Sequence, residues 1–181
     1  MTRRDAIRRA GVAALAPLAT PARAGALTLD ELRKLERAAV ARAVAAEQTA
    51  AVAFEAIANS GVLDDRTTAT MRVLLDHASQ HADLMAATFK EELGDDPPLP
   101  PKRTAIPGLA ALRAQPDALR LAVDLEQRAI AAHIAAVRRT HNAQLLKLIG
   151  GVVGSDGQGL VLLRQLVHRP PVPLAFERGV A

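Results

Sequence analysis

Six prolines fall within the 22 residues from Asp95 to Pro116. A helix interior tolerates such residues badly, because each removes an amide donor and clashes with the preceding turn. The segment therefore cuts the chain into two halves. Each half carries apolar side chains at helical spacing of three and four. Leu32, Leu35, Val40, Ala43, Ala50, Phe54 and Ile57 form one stripe, and Met71, Leu74, Ala78, Met85, Phe89 and Leu93 a second. Beyond the prolines, Leu119, Ala122, Ala129 and Ala136 form a third, and Leu145, Val152, Leu163 and Leu166 a fourth. Small aliphatic residues dominate, with 2% aromatics and no Tyr or Trp. That balance favours helices over sheets.

Boundary signals agree with four helices. Thr28 and Glu31 form a capping box, and Asn59-Ser60-Gly61 is a stop. Asp64 or Asp65 caps the second helix and Gly94 ends it. Asp117 is expected to open the third, and Asn142 to cap the fourth. Within the fourth, Gly150, Gly151, Gly154, Gly157 and Gly159 each cost ~1 kcal/mol relative to Ala. Packing must hold that helix, or it kinks there. Neither hairpin alone buries its stripe, so residues 95–116 read as a long crossover, with one short turn at 107–112. The expected architecture is an all-α, antiparallel four-helix bundle over residues 25–168, with an extended tail at 169–181.

Residues 1–24 read differently. Arg3-Arg4 and Arg8-Arg9 precede a weakly apolar stretch from Ala10 to Thr20, too short to span a bilayer. Ala22-Arg23-Ala24 then fits a small-x-small cleavage site. The order resembles a twin-arginine export signal, an address read by an export translocase. It implies a location in the periplasm, the cell envelope or outside the cell. These 24 residues hold five of the 23 basic residues and one of the 19 acidic ones. The remainder is formally balanced, so the high sequence pI is no argument for a nucleic-acid partner. No transmembrane span is expected in the mature chain, and self-association is compatible with the pattern. The chain has no cysteine, which excludes thiolate metal sites and thiol chemistry.

The candidate chemistry lies in a stretch that occurs twice. Glu47-Gln48-Thr49-Ala50 and Glu126-Gln127-Arg128-Ala129 both place a carboxylate in the middle of an apolar helical pattern. Each has a ring residue seven positions later, Phe54 and His133. Two such carboxylates in matched contexts suggest a paired site inside a bundle.

Two hairpins, a long crossover and a mid-helix Glu on the first and third helices resemble the ferritin-like four-helix bundle over residues 28–168. The Pro171-Val172-Pro173-Leu174-Ala175-Phe176-Glu177 tail is similar to that of exported bacterial members. The resemblance implies two inward-facing Glu residues plus a Glu-x-x-His on each of the other helices, together holding two metals. Here the second helix offers Ala78-Ser79-Gln80-His81 and the fourth Asp156-Gly157-Gln158-Gly159. One motif has lost its acid, the other its imidazole. Four of six ligands remain: Glu47, His81, Glu126 and Asp156, with His77 and His133 as accessory nitrogens. Ferroxidase activity is not expected. The expectation is a non-catalytic envelope binding or stress-protective module without a cofactor. The alternative is a mononuclear protein or oxidase holding one divalent ion of iron, manganese or zinc.

Overall fold

The computed structural model describes residues 27–172, so the expected export signal lies outside the described residues, as does most of the tail. Four helices run Leu29–Ala58 (α1), Asp65–Leu93 (α2), Gln115–Val137 (α3) and Ala143–Leu166 (α4), with no strand among the described residues. The Thr28–Glu31 capping box is present in both directions. Asp64 accepts from the Thr67 amide at 2.7 Å, and Asn142 accepts from the amides of Gln144 and Leu145. Gly94 ends α2 at φ 74, a left-handed conformation that costs other residues about 1 kcal/mol or more.

The start of the third helix differs from expectation, and of the two outcomes left open for the fourth, packing holds it. The third helix opens at Gln115, with Pro116 inside its first turn, where a missing amide costs nothing. Asp117 instead turns its carboxylate back to the Arg113 amide and across to Arg120. The fourth helix runs unbroken despite its glycines. Added methyls at Gly150, Gly151, Gly154 and Gly157 would meet nothing within 4 Å. Leu145, Ile149, Val152, Leu160 and Leu163 carry the buried face instead. By length and composition α4 could cross a membrane, but here it forms the fourth wall of the bundle.

Each helix packs against two others, in the ring order α1, α2, α4, α3. The crossover, residues 94–114, carries two 3₁₀ turns rather than one. It buries Ile106 and Leu109 in the core. The Gln48 amide, on α1, donates to the Pro98 carbonyl at 2.7 Å and pins the crossover to the bundle. At one end of the bundle Glu36 accepts from the Thr140 hydroxyl and, at 2.9 Å, from the His141 amide. There too Asn142 donates to Glu92 at 2.6 Å. At the other end Gln115 ties α3 to Asp64.

The apolar core is in two pieces. One cluster holds Ala50–Ala58 residues of α1, Met71, Leu74 and Ala78 of α2, and Leu160 and Leu163 of α4. The other holds Ala39–Val44 residues of α1, Met85 and Phe89 of α2, and Leu145, Ile149 and Val152 of α4. On three helices the residue at the break is Glu47, His81 or Asp156. On α3, His133 lies between Ile130 of the first cluster and Ala136 of the second. A polar layer with one side chain from each helix crosses the middle of the bundle.

Candidate metal centre

The layer is buried. Glu47 is 2% exposed, Asp156 5% and His133 0%; the His81 side chain keeps 18%. Burial of this kind needs compensation for each charge. The two carboxylates divide their oxygens between the two imidazoles. Oε2 of Glu47 and Oδ1 of Asp156 lie 3.7 and 3.4 Å from Nδ1 of His81. Oε1 of Glu47 and Oδ2 of Asp156 lie 3.4 Å from Nε2 and 3.0 Å from Nδ1 of His133. Yet Nδ1 of His81, both ring nitrogens of His133, Oε1 of Glu47 and Oδ2 of Asp156 make no well-aligned hydrogen bond. The groups face each other without satisfying each other.

Electrostatics separate the acids. Burial raises the pKa of Glu47, with the His81 contact working against it. Burial also acts to raise Asp156, but contacts with His133 and His81 outweigh it and leave the pKa lowered. Asp156 first, and Glu47 next, push His81 up to about 10. Glu126 is held well above the ordinary carboxylate range by burial and by the charges of Asp156 and Glu47.

Glu47, His81 and Asp156 each offer one ligand atom, and the three atoms lie within 4.8 Å of one another. Glu126 is not in that trio. It comes from a position two turns before His133 on α3, and its Oε1 sits 2.5 Å from where a Cβ on Gly159 would be. The space over Gly159 is thus filled by the Glu126 carboxylate. A cavity of about 10 Å³ remains between Glu47, Ala78, His81, Glu126, Asp156 and Gly159, room for about one water. His77 is exposed, and its ring centre is 6.4 Å from that of His81. The sequence placed His133 among accessory nitrogens; the structure gives it α3's place in the layer. Its seven-residue spacing from Glu126 puts both on one helical face, a signal that could not say which reaches the layer.

A residue set fits a metal when its buried polar atoms lack other partners and its donors suit the ion. Both hold for one ion here. Two ligands ~2.1 Å from one ion at a tetrahedral angle lie about 3.4 Å apart, close to the separations around Nδ1 of His81. A second ion does not fit, because Ala78 and Gly159 supply no ligand and Glu126 occupies the space.

The sequence pattern of the ferritin-like domain matches residues 26–169. The chain belongs to the ferritin-like domain family. No curated protein matches it. Among solved structures it is similar to a conserved hypothetical protein, rv2844, from Mycobacterium tuberculosis. That likeness has a TM-score of 0.66 at 16% identity, over 80% of this chain and 99% of the other. At such identity the shared property is the fold.

Proposed function

We propose that this ferritin-like protein holds one divalent transition-metal ion between Glu47, His81 and Asp156, and acts as an exported binding or protective module, not a two-metal ferroxidase. The observation that carries this reading is the ligand-like spacing of Glu47, His81 and Asp156, whose buried Oε1, Nδ1 and Oδ2 atoms make no well-aligned hydrogen bond. Two carboxylates and one imidazole suit iron, manganese or zinc. When bound, such an ion supplies a Lewis-acid centre. This chain's residues do the holding. His133 lies 3.4 and 3.0 Å from the far oxygens of Glu47 and Asp156, the place that outer partners of metal ligands take. His81 must release its proton before Nδ1 can bind, so affinity rises with pH. Burial and the charges of Asp156 and Glu47 raise the pKa of Glu126, which disfavours a further negative charge beside the site.

A second reading is favoured by one observation. Two imidazoles face two carboxylates, so the layer can balance its own charge as a metal-free polar cluster. Elemental analysis of protein purified from its own compartment separates the two. The metal reading expects about one equivalent of iron, manganese or zinc; less than about a tenth of an equivalent sinks it. The export part rests on Arg3-Arg4 and the stretch behind them. Replacing both with Lys should trap precursor in the cytoplasm, and unimpaired export refutes it.

A further inference from the structure

The ring of four helices is not evenly closed. The α2–α4 seam is its loosest contact, and a groove of about 560 Å³ opens there, with His81 at its inner end. That volume is in the range of small-molecule sites and far exceeds what a bare cation needs. On α2 the lining residues His81, Leu84, Thr88, Glu91 and Glu92 share one face. The rise from His81 to Glu92 is about 16 Å at 1.5 Å per residue, so the groove is elongated. On α4, Gly151 leaves the wall open, since an added Cβ there would meet nothing within 4 Å.

The chemistry is graded along this length. Leu84, Leu148 and Val152 make the inner walls apolar. The outer end carries the carboxylates of Glu91 and Glu92 against the single ammonium of Lys147. Glu92 receives one hydrogen bond, from Asn142 through Oε2, and neither carboxylate meets a cation within ion-pair distance among the described residues. An apolar slot with a net negative mouth matches an elongated molecule with an apolar body and a cationic end.

We propose that the α2–α4 groove binds a small organic amine, its ammonium held at Glu91 and Glu92 and its apolar chain laid between Leu84, Leu148 and Val152 toward the exposed edge of His81. The site stands on the groove alone and requires no metal in the layer. An organic acid, or a segment of protein, is the competing occupant.

The test uses the full mature chain stripped of metal with a chelator. Octylamine and octanoate, each below its aggregation threshold, are titrated by calorimetry. The expected result is saturable 1:1 binding of octylamine, about tenfold tighter than octanoate. Gly151→Phe projects a ring into the open slot and replaces a poor helix former, so the melting temperature should hold or rise while amine binding falls at least about tenfold. Glu91→Gln with Glu92→Gln should erase the preference for the amine while leaving the apolar contribution. Absence of saturable amine binding overturns the proposal. So does binding that survives Gly151→Phe, a preference for octanoate, or a groove already occupied by a protein segment that the amine cannot displace. Because metal is absent throughout, a negative elemental analysis and a negative titration are separate failures.

Discussion

Glu47 and Glu126 begin as equals. Each sits mid-helix in a Glu-Gln-x-Ala stretch, and each is buried, 2% and 6% exposed. Their surroundings decide different fates. Glu47 meets His81 on one side and His133 on the other. Glu126 meets no imidazole within ion-pair distance among the described residues, and its carboxylate fills the space above Gly159. The adjacent glutamines diverge too. Gln48 is buried and holds the crossover at Pro98, while Gln127 is half-buried. Symmetry of sequence did not survive as symmetry of environment, because the partner positions, 81 and 159, carry an imidazole in one case and nothing in the other.

The sharpest way to break this comparison is to remove each carboxylate's charge in turn. Glu47→Gln should weaken binding of one divalent ion by at least about 100-fold, and His81→Ala similarly, whereas Glu126→Gln should stay within about threefold. Equilibrium dialysis with manganese or zinc reads this directly. Equal losses at 47 and 126 would restore the two as equivalents and remove the asymmetry.

A smaller effect tests the filled space. A Cβ at Gly159 would lie 2.5 Å from Oε1 of Glu126 and 3.2 Å from Cδ2 of Leu74. Gly159→Ala should therefore cost about 1–2 kcal/mol in denaturant melts, overcrowding outweighing the gain in helix propensity. In a Glu126→Ala background the same change should become neutral or stabilising. A reversal of sign within the double-mutant cycle shows that Glu126 lies over this glycine; additive costs show that it does not.

The smallest expected difference is in how stability of metal-free protein follows pH. Glu126 has a raised pKa, so its contribution is fully present below the unfolded value near 4.5 and is lost as pH rises toward the folded value. His81 is also raised, from 6.5 to about 10, so its contribution is present below about 6.5 and is lost as pH climbs through 10. Glu126→Gln should flatten the decline that starts near pH 4.5 and leave the later decline in place. His81→Gln should do the converse. Melting temperatures across pH 4 to 10 distinguish the two limbs, and a single shared limb would mean the groups titrate as one unit.

Much of the fold was legible because its signals are local. A capping box, a left-handed Gly94 and clustered prolines act within a few residues of themselves, and each marks the end it should. Pro116 was read as the end of the crossover when it belongs to the first turn of α3, since a proline tolerated at a helix start and one that breaks a helix look alike in sequence. The glycines of α4 suggested a weak helix, but four of them face open space while the Leu, Ile and Val residues opposite are anchored. The site was only partly legible. Spacing brings Glu47, His81 and Asp156 to inward faces, but the choice between Glu126 and His133 depends on relative helix depth, which no local pattern carries. The contacts of Glu36 with Thr140 and of Asn142 with Glu92 join residues more than 49 apart in sequence and left no trace in it.

Those last contacts bear on the order in which the molecule assembles. The α1–α2 and α3–α4 turns are short, so each hairpin can form quickly from neighbouring residues. The link at Glu36 requires both hairpins, because its acceptor is on α1 and its donors lie in the turn before α4. It can form only after the crossover has carried α3 to the far end of the bundle. Interactions made that late are absent from an early transition state and act chiefly on the rate of unfolding. If the ties at this end form after that transition state, Glu36→Ala is expected to raise the unfolding rate more than it lowers the folding rate, which chevron kinetics would read.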